Sequence, residues 1–240
     1  MRSLELAKRN FREIWRDPLS LGITIALPVL LLLVLQAFGE VDAFFTATVL
    51  APGIVLFGFV MLMFSAAMTL SRDRESAFFS RLLTAPVGAR DFVAAYSLPY
   101  LIVAVIQAIL LFIIGALLGL EINGNVGLVI LVLFVTAILY IGLGMILGSL
   151  LPLAPLSGAY AVVLLLTIFG GAWMDLEAIG GVFQTIGNAL PFAHALDATR
   201  DVMVGGAGFS AIATDFYWVL GYTLVSIALA LFFFRRRMVD

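Results

Sequence analysis

The residues of this chain that are best suited to catalysis lie close together in its last third. His194, the only histidine, is followed by Asp197, Arg200 and Asp201. The two aspartates are four residues apart, so a helix would place their carboxylates on one face. With the histidine and the arginine nearby, such a pair suits acid–base chemistry on a membrane lipid. A salt-bridged, helix-capping segment explains the same residues without catalysis, and we favour that interpretation.

The sequence lacks the residues that several other reaction classes need. It has no cysteine, which excludes disulfides, thiolate catalysis and cysteine-based metal sites. It also has no Gly-x-x-x-x-Gly-Lys-Ser/Thr motif, the phosphate loop with which many proteins bind ATP. We therefore predict that the chain is not an enzyme, holds no cofactor or metal of its own and has no nucleic-acid partner.

The segments around these residues are long and free of charge. Hydrophobic residues make up 63% of the chain and charged residues only 12%. Four stretches contain no Asp, Glu, Lys or Arg: Pro18–Gly39, Ala43–Ser71, Phe92–Leu120 and Ile122–Met174. Each is long enough for a helix to cross the ~30 Å hydrocarbon core of a bilayer. The sequence therefore predicts an all-α membrane protein with one transmembrane domain over residues 1–240.

Six membrane spans account for these stretches. The predicted spans are Pro18–Phe38, Leu50–Leu70, Phe92–Gly119, Val126–Leu150, Leu156–Met174 and Phe216–Phe234. Pro152 and Pro155 divide the longest stretch into two spans, because proline interrupts the hydrogen bonds of a helix. Residues 178–196 are also uncharged, but their glycine, amide and proline content suits two short re-entrant helices shielded by protein.

The distribution of charge predicts the orientation of these spans. Cytoplasmic flanks of membrane proteins are rich in Lys and Arg. With six spans, twelve of the thirteen basic residues fall on one side, and Arg200 is the exception. The twelve are Arg2, Lys8, Arg9, Arg12, Arg16, Arg72, Arg74, Arg81, Arg90 and Arg235–Arg237. We therefore predict a multi-pass protein of the cytoplasmic membrane with both termini in the cytoplasm.

Residues 3–16 have the pattern of an amphipathic interfacial helix. One face holds Leu4, Ala7, Phe11, Ile14 and Trp15, and the other faces carry cations that include Arg12 and Arg16. A basic amphipathic helix with a tryptophan lies in the membrane surface, near anionic lipid headgroups. Asp17 is then placed to cap the first span, with Pro18 in its first turn. A plain positively charged anchor is the alternative.

A second short helix is predicted at residues 73–86, in the cytoplasmic connection between spans two and three. Its apolar stripe consists of Phe78, Phe79, Leu82 and Leu83. Its charged rim consists of Arg74, Glu75 and Arg81, and Pro86 ends it. Exposed aromatic and leucine side chains with a mixed-charge rim suit docking, either on the membrane surface or on a cytoplasmic partner protein.

The predicted spans contain amides and hydroxyls but no charged residue. Ion-coupled carriers usually keep a charged coupling group within the membrane, so an ion-gradient-driven secondary transporter is a less favoured alternative. Gly115-x-x-x-Gly119 and Gly144-x-x-x-Gly148 match the close-packing pattern of membrane helices. We expect them to pack within the chain, with a dimer seam as the alternative.

The order of these elements resembles that of type-2 ABC exporter permeases, the membrane subunits that move drugs, lipids and polysaccharides. Trp15-Arg16-Asp17-Pro18, followed by Ala26-Leu27-Pro28, is similar to the interfacial helix of that family as it enters span one. Arg74-Glu75 and the stretch 81–87 resemble its coupling helix, although Ser76-Ala77 replaces the common Gly-Thr. Leu190-Pro191-Phe192 and the stretch 198–201 resemble the segment before the last span, predicted here as an outer re-entrant segment at residues 176–204 with Pro191, Phe192 and Arg200 as its marker residues.

This resemblance implies partners and a mechanism. Two permease subunits, identical or related, would pair and bind two cytoplasmic ABC ATPase subunits, which hold ATP and Mg²⁺. Closure of the ATPases would act through the helix at 73–86 and the interfacial helix at 3–16. The spans would then shift and move an amphipathic, lipid-like, drug-like or polysaccharide substrate outward.

Overall fold

A computed structural model describes residues 2–39, 45–76, 88–172 and 180–238, and these residues form helices without any strand. The helices are α1 (Arg2–Trp15), α2 (Pro18–Gln36), α3 (Ala47–Arg74), α4 (Ala89–Leu117), α5 (Val126–Leu150), α6 (Leu153–Thr167), α7 (Gly181–Ala189), α8 (Pro191–Met203) and α9 (Phe209–Met238). A short π-helical turn, Ile168–Ala172, extends α6. The predicted all-helical class is confirmed over this part of the chain.

Five of the described helices are long and apolar enough to cross a membrane. They are α3, α4, α5, α6 together with its π-helical turn, and α9 as far as Arg236. In α2, Leu21–Gln36 forms a shorter apolar helix. The chain is therefore a multi-pass membrane protein, and the role of α2 as a sixth span stays a prediction.

Capping and helix-breaking residues explain several helix boundaries. Leu151 is extended and Pro152 precedes α6, so the long apolar stretch is divided where the prolines indicate. The backbone N–H of Gly88 donates to Asp91 Oδ2 at 3.2 Å, which caps the start of α4. Pro18 is the first residue of α2, where its missing N–H costs nothing.

Two helices extend furthest beyond their predicted spans. Helix α3 continues four residues beyond Leu70 to Arg74, and α9 begins at Phe209, seven residues before Phe216. Both extensions contain polar or charged residues, which hydropathy assigns to loops. A helix end that emerges from the apolar layer tolerates such residues, because solvent and neighbouring helices satisfy them.

Helix α3 lies at the centre of the bundle. In its most apolar 18 residues 78% are buried, against 17% in α6. It packs against α2, α4, α5 and α6. A Cβ atom on Gly144 would lie 2.5 Å from the carbonyl oxygen of Met63, and one on Gly148 would lie 2.7 Å from that of Ala67. The Gly144-x-x-x-Gly148 pattern therefore allows α5 to approach α3 within the chain.

The bundle has two ends that differ in charge. One end, here called the basic end, joins α1, the end of α3, the start of α4 and the end of α9, where the ring centroids of Phe92 and Phe234 lie 5.2 Å apart. Its described basic residues are Lys8, Arg9, Arg12, Arg16, Arg72, Arg74, Arg90, Arg235 and Arg236. The opposite, acidic end carries Glu121, Asp197, Asp201 and Asp215, together with Arg200.

Candidate functional site

Asp73 forms the hub of a buried polar network at the basic end. Its carboxylate accepts from Arg9 Nη1 at 3.2 Å and from Arg9 Nη2 at 3.4 Å. The hydroxyl of Tyr96 donates to Asp73 Oδ2 at 2.6 Å. Only 9% of the Asp73 side chain is exposed, so its charge depends on these donors rather than on water. We call Arg9, Asp73 and Tyr96 the Asp73 hub, which joins α1, α3 and α4.

Helix α1 is held against the bundle by more than the arginine. Leu6 and Ala7 are buried, and the buried Asn10 donates from Nδ2 to the carbonyl oxygen of Ala95 at 3.2 Å. Arg9 also pairs with Glu13 at 3.2 Å, one turn along the same helix. The face of α1 that contacts α3 and α4 thus combines the apolar Leu6 and Ala7 with the polar Arg9 and Asn10. These contacts hold α1 against the spans.

The end of α3 is also tied to the connection between α5 and α6. Ser71 donates from Oγ to the carbonyl oxygen of Leu151 at 2.9 Å, and Arg74 donates from Nη1 to that of Ser149. These carbonyls lie at the end of α5, where the helix can no longer supply partners for them. The end of α3, where the predicted coupling segment begins, is therefore bound to α1, to α4 and to the connection between α5 and α6.

The predicted coupling helix falls largely outside the described residues. Asp73 and Arg74 belong to the last turn of α3, and Glu75 is its exposed C-cap residue. Six further residues of the predicted helix lie outside the described part of the chain: Phe78, Phe79, Arg81, Leu82, Leu83 and Pro86. Their docking role stays a prediction.

The predicted interfacial residues lie at the outer side of α1 and just beyond it. Arg12, Trp15, Arg16 and Asp17 are all exposed, and Trp15 is 60% exposed while its ring stacks on Phe11 at 5.8 Å. A tryptophan in this position suits a membrane–water interface. The predicted apolar face is divided, since Ala7 is buried against the bundle while Leu4 and Trp15 face outward.

At the acidic end, Arg200 fastens α8 to two other elements. Its Nε donates to the carbonyl oxygen of Val49 at 3.1 Å, and its Nη1 and Nη2 donate to those of Gly171 and Ala172 at 3.0 and 3.4 Å. Gly171 has a φ of 93°, so the helical turn breaks there and leaves carbonyls to be satisfied. The arginine therefore stabilises the junction between α3, the π-helical turn and α8.

The other predicted residues of this segment position α8. Pro191 is its first residue, and Phe192 is buried with its ring stacked on Tyr140 at 5.2 Å. Two short helices, α7 and α8, are present where the sequence predicts a re-entrant pair. Their depth in a membrane stays a prediction.

His194 links α8 to both of its neighbours. Its Nδ1 lies 2.6 Å from Asp215 Oδ1 on α9, and its Nε2 lies 2.9 Å from the carbonyl oxygen of Asn188 on α7. Both contacts are hydrogen bonds when the ring carries a proton on each nitrogen. The ring also stacks on Trp218 at 5.1 Å, so an aromatic face, a carboxylate and a carbonyl surround it.

A family model described as ABC-2 type transporter matches residues 3–204. The chain belongs to the ABC-2 type transporter family. No curated protein matched the chain. The matched range begins in α1 and ends after α8, so it includes both the Asp73 hub and the Arg200 junction.

Membership in the ABC-2 type family makes this chain a transport component that is not itself catalytic. His194 contacts Asp215, and Arg200 donates to backbone carbonyl oxygens, so both side chains have partners that position α8. Among the described residues, no group of three or more His, Asp or Glu is placed to hold a metal ion. The favoured interpretation, a capped and paired segment, accounts for these contacts.

The carboxyl group of Asp197, on α8 and outside the spans, has a shifted pKa. The residue is exposed, but desolvation by neighbouring protein atoms raises the pKa of its carboxyl to about 6. The charge of Arg200 opposes this rise, and the carboxylates of Asp215 and Asp201 add to it. The carboxyl group of Asp197 therefore exchanges its proton near pH 6, because the charge of Arg200 offsets only part of the rise.

Sequence reasoning missed the Asp73 hub. Asp73 follows an apolar span, and its position suggests a solvated loop residue rather than a buried anion. Its partners Arg9 and Tyr96 are 64 and 23 residues away, so no local pattern connects them. The one signal in the sequence is the pair of polar residues Arg9 and Asn10 beside the apolar face of residues 3–16, and this pair fits a solvated face equally well.

Proposed function

We propose that this ABC-2 type chain is the membrane-spanning permease subunit of an ATP-driven exporter and that it works as a pair with separate ABC ATPase subunits. The observation that carries the proposal is the Asp73 hub, which ties the N-terminal helix to α3 and α4 at the first residue of the predicted coupling segment. A permease driven from outside needs such a rigid connection between its docking surface and its spans.

The contacts of the Asp73 hub would transmit a displacement of the coupling segment to α3 and α1. Residues 75 and 76 follow directly after α3, and Ser76 donates from Oγ to the carbonyl oxygen of Asp73 at 2.5 Å. A force on the segment that follows is therefore applied to α3, and through Arg9 it is shared with α1. Buried charged pairs of this kind are costly to break, so the elements move together.

The charge of the two ends supports the proposed orientation. The basic end contains α1, Arg72, Arg74, Arg90 and the end of α9, and basic flanks stay in the cytoplasm. With α2 as a sixth span, both termini lie on this side of the plasma membrane. The predicted coupling segment then faces the cytoplasm, where ABC ATPases bind ATP and Mg²⁺.

The substrate we propose is amphipathic or lipid-like and moves outward. A cavity of about 380 Å³ between α4 and α5 supports this choice, because its lining residues are all apolar. They include Ala108, Phe112, Val129 and Leu133. Such a cavity offers no partner for a charged solute and suits a hydrocarbon chain.

The test is co-expression with an ABC ATPase encoded beside the gene, followed by purification through a tag on the permease. We expect the ATPase to co-purify and the complex in proteoliposomes to hydrolyse ATP with inhibition by vanadate. The double variant F79D/L82D should lose both properties, because it places two carboxylates in the apolar stripe.

The control V182D places a carboxylate on an exposed residue of α7 at the acidic end, and it should keep both properties. If F79D/L82D binds and stimulates the ATPase as the natural sequence does, the coupling role of residues 73–86 is wrong. If the purified chain alone moves a solute across liposomes under an ion gradient, it is a secondary transporter instead.

A further inference from the structure

A second cavity of about 230 Å³ lies between α1, α2, α3 and α4, beside the Asp73 hub. One wall is a single face of α3, because its lining residues recur at intervals of three and four. From the interior to the basic end these residues are Leu62, Ser65, Met68, Thr69 and Arg72. The face therefore changes from apolar to hydroxyl-bearing to cationic along the helix. We call this cavity the α1–α4 cleft.

The opposite wall of the α1–α4 cleft changes in the same direction. Glu13 on α1 and Asp17 before α2 line its outer part, and Leu21 and Thr24 lie one and two turns deeper on α2. Tyr100 on α4 closes the middle of the cleft, where its hydroxyl lies 2.6 Å from Thr69 Oγ1. Charged groups thus occupy one end, hydroxyls the middle and alkyl side chains the far end.

This order of chemistry matches a phospholipid in a bilayer. A phospholipid has a charged headgroup, then ester oxygens that accept hydrogen bonds, then hydrocarbon chains. The charged end of the cleft lies beside the exposed Trp15, which suits the membrane–water interface. A volume of 230 Å³ has room for about eight water-sized groups, so it fits a phospholipid headgroup rather than a whole lipid.

The charges at the mouth of the cleft select among headgroups. Two carboxylates, Glu13 and Asp17, and one guanidinium, Arg72, line the cleft, and Glu13 is also paired with Arg9 on α1 at 3.2 Å. We propose that the α1–α4 cleft binds a zwitterionic phospholipid with a primary amine, its ammonium group on Glu13 and Asp17 and its phosphate on Arg72. A primary ammonium group offers three N–H donors to carboxylates, and a guanidinium pairs well with phosphate.

Other headgroups fit these charges less well. A choline headgroup has no N–H donor for the two carboxylates. A purely anionic headgroup meets Arg72 but also the two negative charges, although Arg12 and Arg16 flank the same carboxylates on the surface of α1. Lipids that differ only in the headgroup therefore separate these possibilities.

The experiment uses the purified full-length permease in detergent, without an ATPase, and native mass spectrometry with lipids that share the same acyl chains. We expect dioleoyl phosphatidylethanolamine to bind about tenfold more tightly than the phosphatidylcholine or phosphatidylglycerol analogue, the ratio that one charge-assisted hydrogen bond supplies. The variants R72Q and D17N should each abolish this preference. The controls R235Q and E5Q change exposed charges outside the cleft lining and should keep it.

A second measurement uses the natural sequence alone, so that it does not depend on how a variant folds. A photoactivatable phosphatidylethanolamine with its reactive group near the ester region should label the peptide that contains residues 62–72. Equal binding of the three lipids, a preference for the anionic lipid, or labelling elsewhere in the chain would each overturn the proposal. Because no ATPase is present, none of these results bears on the coupling role of residues 73–86.

Discussion

Tyr96 on α4 donates its hydroxyl proton to Asp73 on α3, and the two oxygens are 2.6 Å apart in a site that is closed to solvent. The carboxylate also receives the fork of Arg9, so the tyrosine is the neutral member of a charged network. Its hydroxyl satisfies a lone pair that Arg9 does not reach. This division of roles allows the tyrosine to be tested separately from the ion pair.

The variant Y96F should destabilise the protein by about 1.5–3 kcal/mol, the usual contribution of a hydrogen bond to a charged group. Thermal unfolding in detergent measures this change. Y217F removes a hydroxyl from a tyrosine that is 60% exposed and should have little effect. If Y96F and Y217F unfold at the same temperature, Asp73 does not depend on the tyrosine.

The variant G144A should destabilise the contact between α3 and α5 by about 1–3 kcal/mol, because a Cβ atom at this position meets the backbone of Met63. G158A is the matched control, since a Cβ atom on Gly158 in α6 meets no atom within 4 Å. The measurement is again thermal unfolding, in parallel for both variants. Equal stability of the two would show that α5 and α3 separate at no cost.

The variant R200K should lose at least about 2 kcal/mol of stability, although it keeps the positive charge. A lysine presents a compact ammonium group and cannot span the carbonyl oxygens of Val49 and Gly171 as the guanidinium fork does. R236K, at the exposed end of α9, controls for the exchange of the two residue types. A stable R200K would mean that charge alone holds this junction.

The variant D197N should change how stability depends on pH. The pKa of Asp197 is raised from 3.8 to about 6 in the folded chain, so the folded state binds more protons than the unfolded state between these values. The natural sequence therefore loses stability as pH rises from about 4 to about 6, and D197N should not show this component.

Unfolding temperatures at several pH values between 4 and 7.5 measure the difference between the two proteins. We expect D197N to be the more stable at pH 7.5 and the advantage to disappear toward pH 4. E121Q also removes a carboxylate from the acidic end, and it corrects for the change in overall charge. A difference that stays constant with pH would contradict the raised pKa.

Local sequence patterns predicted the helices and many of their ends. Pro152 separates two apolar stretches, Asp91 caps α4, and Pro18 begins α2, and each of these effects acts within one or two turns of the chain. The apolar stretches also predicted that the solvent is lipid. Local patterns are sufficient to predict membrane helices because such a helix must form the hydrogen bonds of its backbone N–H and C=O groups within itself.

The contacts between helices were less accessible to sequence reasoning. Arg200 was recognised as the basic residue on the wrong side of the charge pattern, but nothing near it shows that its partners are carbonyls of residues 49 and 171. His194 and Asp215 are 21 residues apart, and Asp215 was assigned to a loop although it lies in α9. Such pairs depend on how the helices pack, which hydropathy does not encode.

Helix α3 is anchored near both of its ends, to Arg9 through Asp73 and to Arg200 through the carbonyl oxygen of Val49. Its 28 residues extend for about 42 Å. Because α3 is one continuous helix between these two contacts, we expect a displacement that begins beside Asp73 to be transmitted along it. Through Arg200, it would reach the carbonyl oxygen of Gly171 at the acidic end.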